Sequence, residues 1–104
     1  MVYLIDLWKR DIRLTDERLN HLVADHPEMK DQAARIAETL LTPDEARQCR
    51  SDQQVELFYK LYPQTPVTTK FLCVVVKASP SDHFIITAYY TDTIKKGVVL
   101  WEKK

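Results

Sequence analysis

From Val55 onward the chain reads as one strand after another, and this constrains its fold more than any other feature. Four β-rich runs, Val55–Tyr62, Lys70–Ala78, His83–Thr91 and Val98–Glu102, alternate with connectors of turn-forming residues. The connectors are Pro63-Gln64-Thr65-Pro66, Ser79-Pro80-Ser81-Asp82 and the stretch from Asp92 to Gly97. Proline, serine and aspartate between alternating apolar segments mark turns rather than further elements. Connectors this short predict antiparallel neighbours, because a parallel pair needs a crossover of a dozen or more residues. Phe71–Val76 is apolar on both faces, which predicts a central position.

The first half has a helical texture. Val2–Trp8 reads as a short strand. Thr15 then offers an N-cap, with Asp16 and Glu17 in the first turn, where carboxylates suit the helix dipole. Leu19, Leu22, Val23 and His26 recur on one face, and Pro27 predicts the end of that helix at His26. A second helix is predicted from Pro27 or Met29 to Leu41, on the stripe Met29, Ala33, Ile36, Ala37 and Leu40. Thr42-Pro43-Asp44-Glu45 has the form of a capping box with proline at the first helical position. It predicts a short third helix that stops at Ser51-Asp52. Helices first and strands after give an α+β expectation: a single domain over residues 1–104, with N-terminal helices packed on one face of a four-stranded antiparallel sheet.

Composition excludes several function classes. Hydrophobic residues at 45% and charged residues at 29% are the balance of an ordinary globular chain, not a disordered one. The single glycine, Gly97, leaves no room for a Gly-rich phosphate loop. Fifteen Lys and Arg against fifteen Asp and Glu give zero formal charge, so a polyanion must meet a local patch rather than a whole-molecule field. Cys49 and Cys73 show no CxxC spacing and do not make a disulfide scaffold, which predicts free thiols and a cytoplasmic setting. The opening run meets Asp6 before a long apolar stretch forms, so neither a signal peptide nor a membrane partner is expected. Phe71–Val76 is also far short of the roughly 20 residues that span a bilayer.

The strand His83–Thr91 carries the first candidate site residues. Its even positions, Phe84, Ile86, Ala88 and Tyr90, suit a core, while Thr87 and Tyr89 present hydroxyls from the other face. An exposed face, where both types are good strand formers, accounts for the pair equally well. His26, at a helix end, suits general acid–base chemistry or a plain helix cap. His21 and His26 are about 140° apart around a helix, which is not a metal-ligating pair, and no metal or other cofactor is expected. Basic residues gather at Arg47 with Arg50 and at Lys95-Lys96-Gly97, where a tight turn can aim cations and N–H groups at an anion. Phe58, Tyr59, Lys60 and Tyr62 interleave aromatics with charge, which suits base stacking and core strands alike.

These segments together resemble a family of small phage and bacterial domains grouped with the barnase–EndoU–colicin–RelE nuclease superfamily. The resembling segments are His21 through His26-Pro27-Glu28-Met29, Pro43-Asp44-Glu45 through Arg50-Ser51-Asp52, Phe58-Tyr59-Lys60, Phe71 through Lys77, and Thr87-Ala88-Tyr89 with Asp92, Lys95, Lys96 and Gly97. They fall in the family's order across residues 15–101. The resemblance implies a metal-independent endoribonuclease, toxin-like or phage-derived, in which a 2′-OH attacks the adjacent phosphate. It implies His26 as base or acid with His21 second, and Arg50, Thr87 and Tyr89 as further catalytic residues. Tyr59, Lys60, Lys95 and Lys96 would bind substrate. RNA is the implied partner, with a cognate antitoxin or immunity protein beside it. Cys49 stands where the family often has serine, and Lys60 where it has arginine. A non-catalytic RNA- or partner-binding module on the same fold is the alternative, with a structural accessory domain as a third reading.

Overall fold

In the computed structural model, which describes residues 1–104, strands and helices interleave. The order is β1 (Val2–Ile5), β2 (Asp11–Leu14), α1 (Asp16–Asp25), a 3₁₀ turn (Pro27–Met29), α2 (Ala33–Leu41), β3 (Glu45–Cys49), β4 (Val55–Tyr62), β5 (Lys70–Ser79), β6 (Asp82–Thr91) and β7 (Gly97–Glu102). The seven strands make one mixed sheet in the order β1-β2-β6-β5-β4-β3-β7. All neighbours are antiparallel except β2 and β6, which meet in parallel through Arg13 and Phe84.

The expectation of N-terminal helices on a four-stranded antiparallel sheet is therefore corrected, in three places. First, β2 was not expected; its signal is two buried residues, Ile12 and Leu14, on either side of the partly exposed Arg13. Second, the predicted third helix is strand β3. Thr42 does not open a helix: its hydroxyl donates back to Glu38 O at 3.1 Å, on α2. Asp44 is drawn to β4 instead, its N–H donating to Tyr59 O at 2.8 Å and its carboxylate accepting from Leu61 N at 2.8 Å. Ala46 is then fully buried, in register with Phe58 on one side and Trp101 on the other. Burial within the sheet outweighs the weak helical preference of this segment. Third, β7 does not lie beside β6. It crosses the sheet to pair with β3 at the far edge.

Both helices lie on one face. Phe58, Leu72, Val74, Val76, Ala88 and Tyr90 from the sheet meet Leu22, Met29, Ile36 and Leu40 in the main core. Thr15 caps α1, its hydroxyl accepting from Arg18 N at 3.0 Å. The β1–β2 corner is tied down by charge. Asp6, fully buried, accepts from the N–H groups of Trp8 and Arg10 and from Arg10 Nε. Arg10 reaches on to Glu56 of β4 at 2.5 Å. No helix is long and apolar enough to cross a membrane.

Candidate functional site

The site candidate is the sheet face opposite the helices. Strand register sets its layout, because residues in register lie side by side and point the same way. Tyr89, Cys73, Tyr59 and Glu45 form one row across β6, β5, β4 and β3. Thr87, Val75, Leu57 and Arg47 form the next. Leu57, Tyr59 and Cys73 are buried, with Val55, Phe71, Val75, Tyr89 and Ile94 packed against them. This second, smaller core exists because β7 pairs with β3. The segment from Asp92 to Lys96 must cross the face to reach that edge, and it lays Ile94 on the cluster. The crossing is fastened at Lys95, whose N–H donates to Tyr59 Oη at 3.1 Å, while Arg47 Nη1 donates to Lys95 O at 3.5 Å.

His26 joins this face at its β6 end. β2 meets β6 only near Phe84, so the far end of β6 has no strand beyond it, and the 3₁₀ turn packs there. His26 ends α1 with its backbone N–H donating to Leu22 O, and Pro27 opens the turn that follows. The imidazole lies over Tyr89, with ring centroids 5.4 Å apart and planes tilted by 31°. Glu28, on the same turn, places Oε2 3.9 Å from His26 Nδ1. Nδ1 thus faces a carboxylate, and Nε2 is the nitrogen turned away from it.

Burial dominates the electrostatics of the row. It pushes the phenols of Tyr59 and Tyr89 well above the usual tyrosine range. It pushes the Cys73 thiol up to about 11, although the neighbouring phenols of Tyr89 and Tyr59 act the other way. All three are therefore neutral hydrogen-bonding groups at neutral pH. Cys49, at the end of β3, is shifted the other way by its hydrogen bond with Ser51.

The structure brings His26, Tyr89, Thr87, Tyr59 and the backbone of Lys95 onto one face. Arg50 follows the end of β3 and is exposed, as are the side chains of Lys95 and Lys96 on the crossing segment. His21 stands apart on the exposed side of α1, 3.8 Å from Glu17. There it lines a cavity of about 430 Å³ with Arg13, Thr15 and Arg18. Lys60 also stands apart. It follows Tyr59 on β4, so it points to the opposite face, where its ammonium donates to Thr42 O at 2.7 Å.

Glu28, Cys73 and Ile94 belong to the site without a sequence expectation that put them there, and Arg47, expected only as part of a basic cluster with Arg50, joins it by holding Lys95 O. Glu28 sits inside the His26-Pro27-Glu28-Met29 segment, and its nearness to the imidazole was the available signal. Cys73 was hidden in an apolar run whose alternation does not show. Ile94 gives no local signal, because its packing depends on where β7 goes. Gly97 also has a different reason from the anion-binding turn expected of it. Its φ is not positive, and a Cβ there would lie 2.3 Å from Gln48 O.

No three His, Cys, Asp or Glu side chains gather closely enough to hold a metal ion. No family model, curated protein or solved structure matches the chain. Fold and site define a seven-stranded mixed sheet with helices on one face and a tyrosine-lined row, ended by a histidine, on the other.

Proposed function

We propose that the chain is a cytoplasmic endoribonuclease, toxin-like or phage-derived, that cleaves RNA by attack of a 2′-OH on the adjacent phosphate without a metal ion. The observation that carries this reading is the placement of His26 over Tyr89 with Glu28 behind its Nδ1. A carboxylate facing Nδ1 orients the imidazole and leaves Nε2 free to meet a substrate. His26 Nε2 takes the proton from the 2′-OH as its oxygen bonds to phosphorus. The phosphorus–5′-oxygen bond then breaks, the leaving 5′-oxygen takes a proton from solvent and His26 gives the abstracted proton back to solvent, leaving a cyclic phosphate and a free hydroxyl. Thr87 and Tyr89 offer neutral hydroxyl donors to the phosphate oxygens, Lys95 and Lys96 are exposed cations on the segment that crosses this face, and Arg50, beyond the end of β3, lies away from the His26 end of the row. A cognate antitoxin or immunity protein would act by covering this face.

The rival reading, a binding module without catalysis, is favoured by the position of His21, which leaves His26 as the one imidazole at the row. A fluorogenic single-stranded RNA, incubated with chelator present, separates the two. Cleavage by the wild type and its loss in His26→Ala support the enzyme. Binding of that RNA with no cleavage supports the module and overturns the enzyme.

A further inference from the structure

The edge strand β7 carries an inference that does not depend on the RNA reading. β7 pairs with β3 on its inner side and with nothing on its outer side. Its residues Val98, Val99 and Leu100 are 61%, 45% and 37% exposed. An apolar edge with free N–H and C=O groups is a template for another strand. Lysine pairs flank it, Lys95-Lys96 before and Lys103-Lys104 after. Lys70, Lys77 and Lys103 find carboxylates within the chain, whereas Lys95, Lys96 and Lys104 form no ion pair. A second copy is a poor occupant. Antiparallel self-pairing about the centre of Val99-Leu100 sets Lys96 against Lys103 and Lys95 against Lys104, and like charges directly opposite repel.

Beside β7 lies a cavity of about 370 Å³ lined by Leu7, Leu41, Pro43 and Trp101, with Lys60 and Lys103 at hand. Trp101 is itself a β7 residue, so the cavity borders that strand on the helix face of the sheet. The other edge strand, β1, also exposes Val2, Tyr3 and Ile5, but it has no flanking lysine pairs. We propose that β7 takes an extended segment of a partner protein as an eighth strand. That segment alternates apolar residues, bears acidic residues at both ends, and seats one large apolar side chain in the cavity beside Trp101. Main-chain pairing supplies the affinity, while the cavity and the lysines supply the choice of sequence.

The test is selection from a random peptide display library against the immobilised chain, without RNA. Amide exchange on the complex with the best peptide follows. The expected result is enrichment of apolar segments bracketed by aspartate or glutamate, with exchange slowed across Val98–Leu100. Reversing charge with Lys96→Glu and Lys104→Glu together should weaken that peptide by about tenfold or more, and Lys30→Glu should not. Absence of enrichment, protection elsewhere, binding indifferent to the lysine reversal, or a free chain that dimerises through β7 would each overturn the proposal. The RNA reading survives any of these, because it is scored by cleavage and not by peptide binding.

Discussion

The imidazole of His26 rests on the ring of Tyr89, centroid to centroid 5.4 Å, although α1 packs its apolar side against the opposite face of the sheet. The contact is made past the end of β6, where no further strand intervenes. It joins a helix end to the row that runs through Cys73 and Tyr59.

That stack makes substitution of His26 informative on two axes. His26→Ala should lower RNA cleavage by about 10²–10⁴, the range for loss of a general acid–base group. It should also cost roughly 0.5–1.5 kcal/mol of stability through the lost ring contact. His26→Phe keeps a ring over Tyr89 but has no nitrogen, so it should melt near the wild type and cleave as poorly as the alanine variant. Cleavage restored in His26→Phe would show that the ring serves only to pack.

The thiol of Cys73 predicts how stability responds to alkali. Burial disfavours its thiolate in the folded chain, which holds the proton up to about pH 11. The unfolded chain releases it near the ordinary thiol value of about 8.5. Between those values the folded state binds more protons, so stability falls as pH rises. The contribution is complete below about pH 8.5 and lost towards pH 11, with Tyr59 and Tyr89 extending the loss to higher pH. Denaturant melts should show this fall, and Cys73→Ala should show a shallower one, whatever its absolute stability. Equal slopes would place the effect elsewhere. Cys49, shifted downward and partly exposed, should react with a thiol reagent at pH 8 while Cys73 stays protected in the folded chain.

Asp6 is the buried anchor of the β1–β2 corner. Its carboxylate accepts two backbone N–H groups and the Arg10 guanidinium, which also holds Glu56 of β4. Asp6→Ala leaves those donors without their acceptor in the protein interior, and breaking a buried pair in this way costs about 3–5 kcal/mol. Asp6→Asn keeps one acceptor oxygen and should lose less. A melt of Asp6→Ala within a degree of the wild type would refute this role.

Strands β4, β5 and β6 were legible because their alternation and their proline- and serine-rich turns are local properties. The α1 start was legible because Thr15 caps it in place. β3 was not, since Pro43-Asp44-Glu45 carries a helix-start pattern and its strand state depends on Phe58 and Trp101 closing over Ala46. The partner of β7 was not legible either. A short connector favours the adjacent strand, and nothing within Asp92–Lys96 announces a crossing that is held by Tyr59, Arg47 and the packing of Ile94. Part of the site followed from that. Thr87, Tyr89 and Tyr59 were readable from strand parity, and the same parity applied to Tyr59 separates Lys60 from it. Glu28 and Ile94 needed the tertiary fold, as did the contact of Arg47 with the Lys95 carbonyl.

Gly97 tests the crossing itself. It begins β7 in register with Cys49, where the incoming chain passes closest to β3. Because its φ is not positive, another residue type meets no backbone strain there, and the demand for glycine is one of space. A Cβ would stand 2.3 Å from the carbonyl oxygen of Gln48. That atom is backbone, so no side-chain rotation relieves the overlap; β7 must shift away from β3. Gly97→Ala should therefore cost about 1–3 kcal/mol, the range for overpacking at a close contact. Amide exchange should speed up first along β3 and β7. Val98→Ala, one residue on and exposed, should stay within about 0.5 kcal/mol of the wild type. A Gly97→Ala chain as stable as the Val98→Ala chain would mean that β7 does not approach β3 this closely.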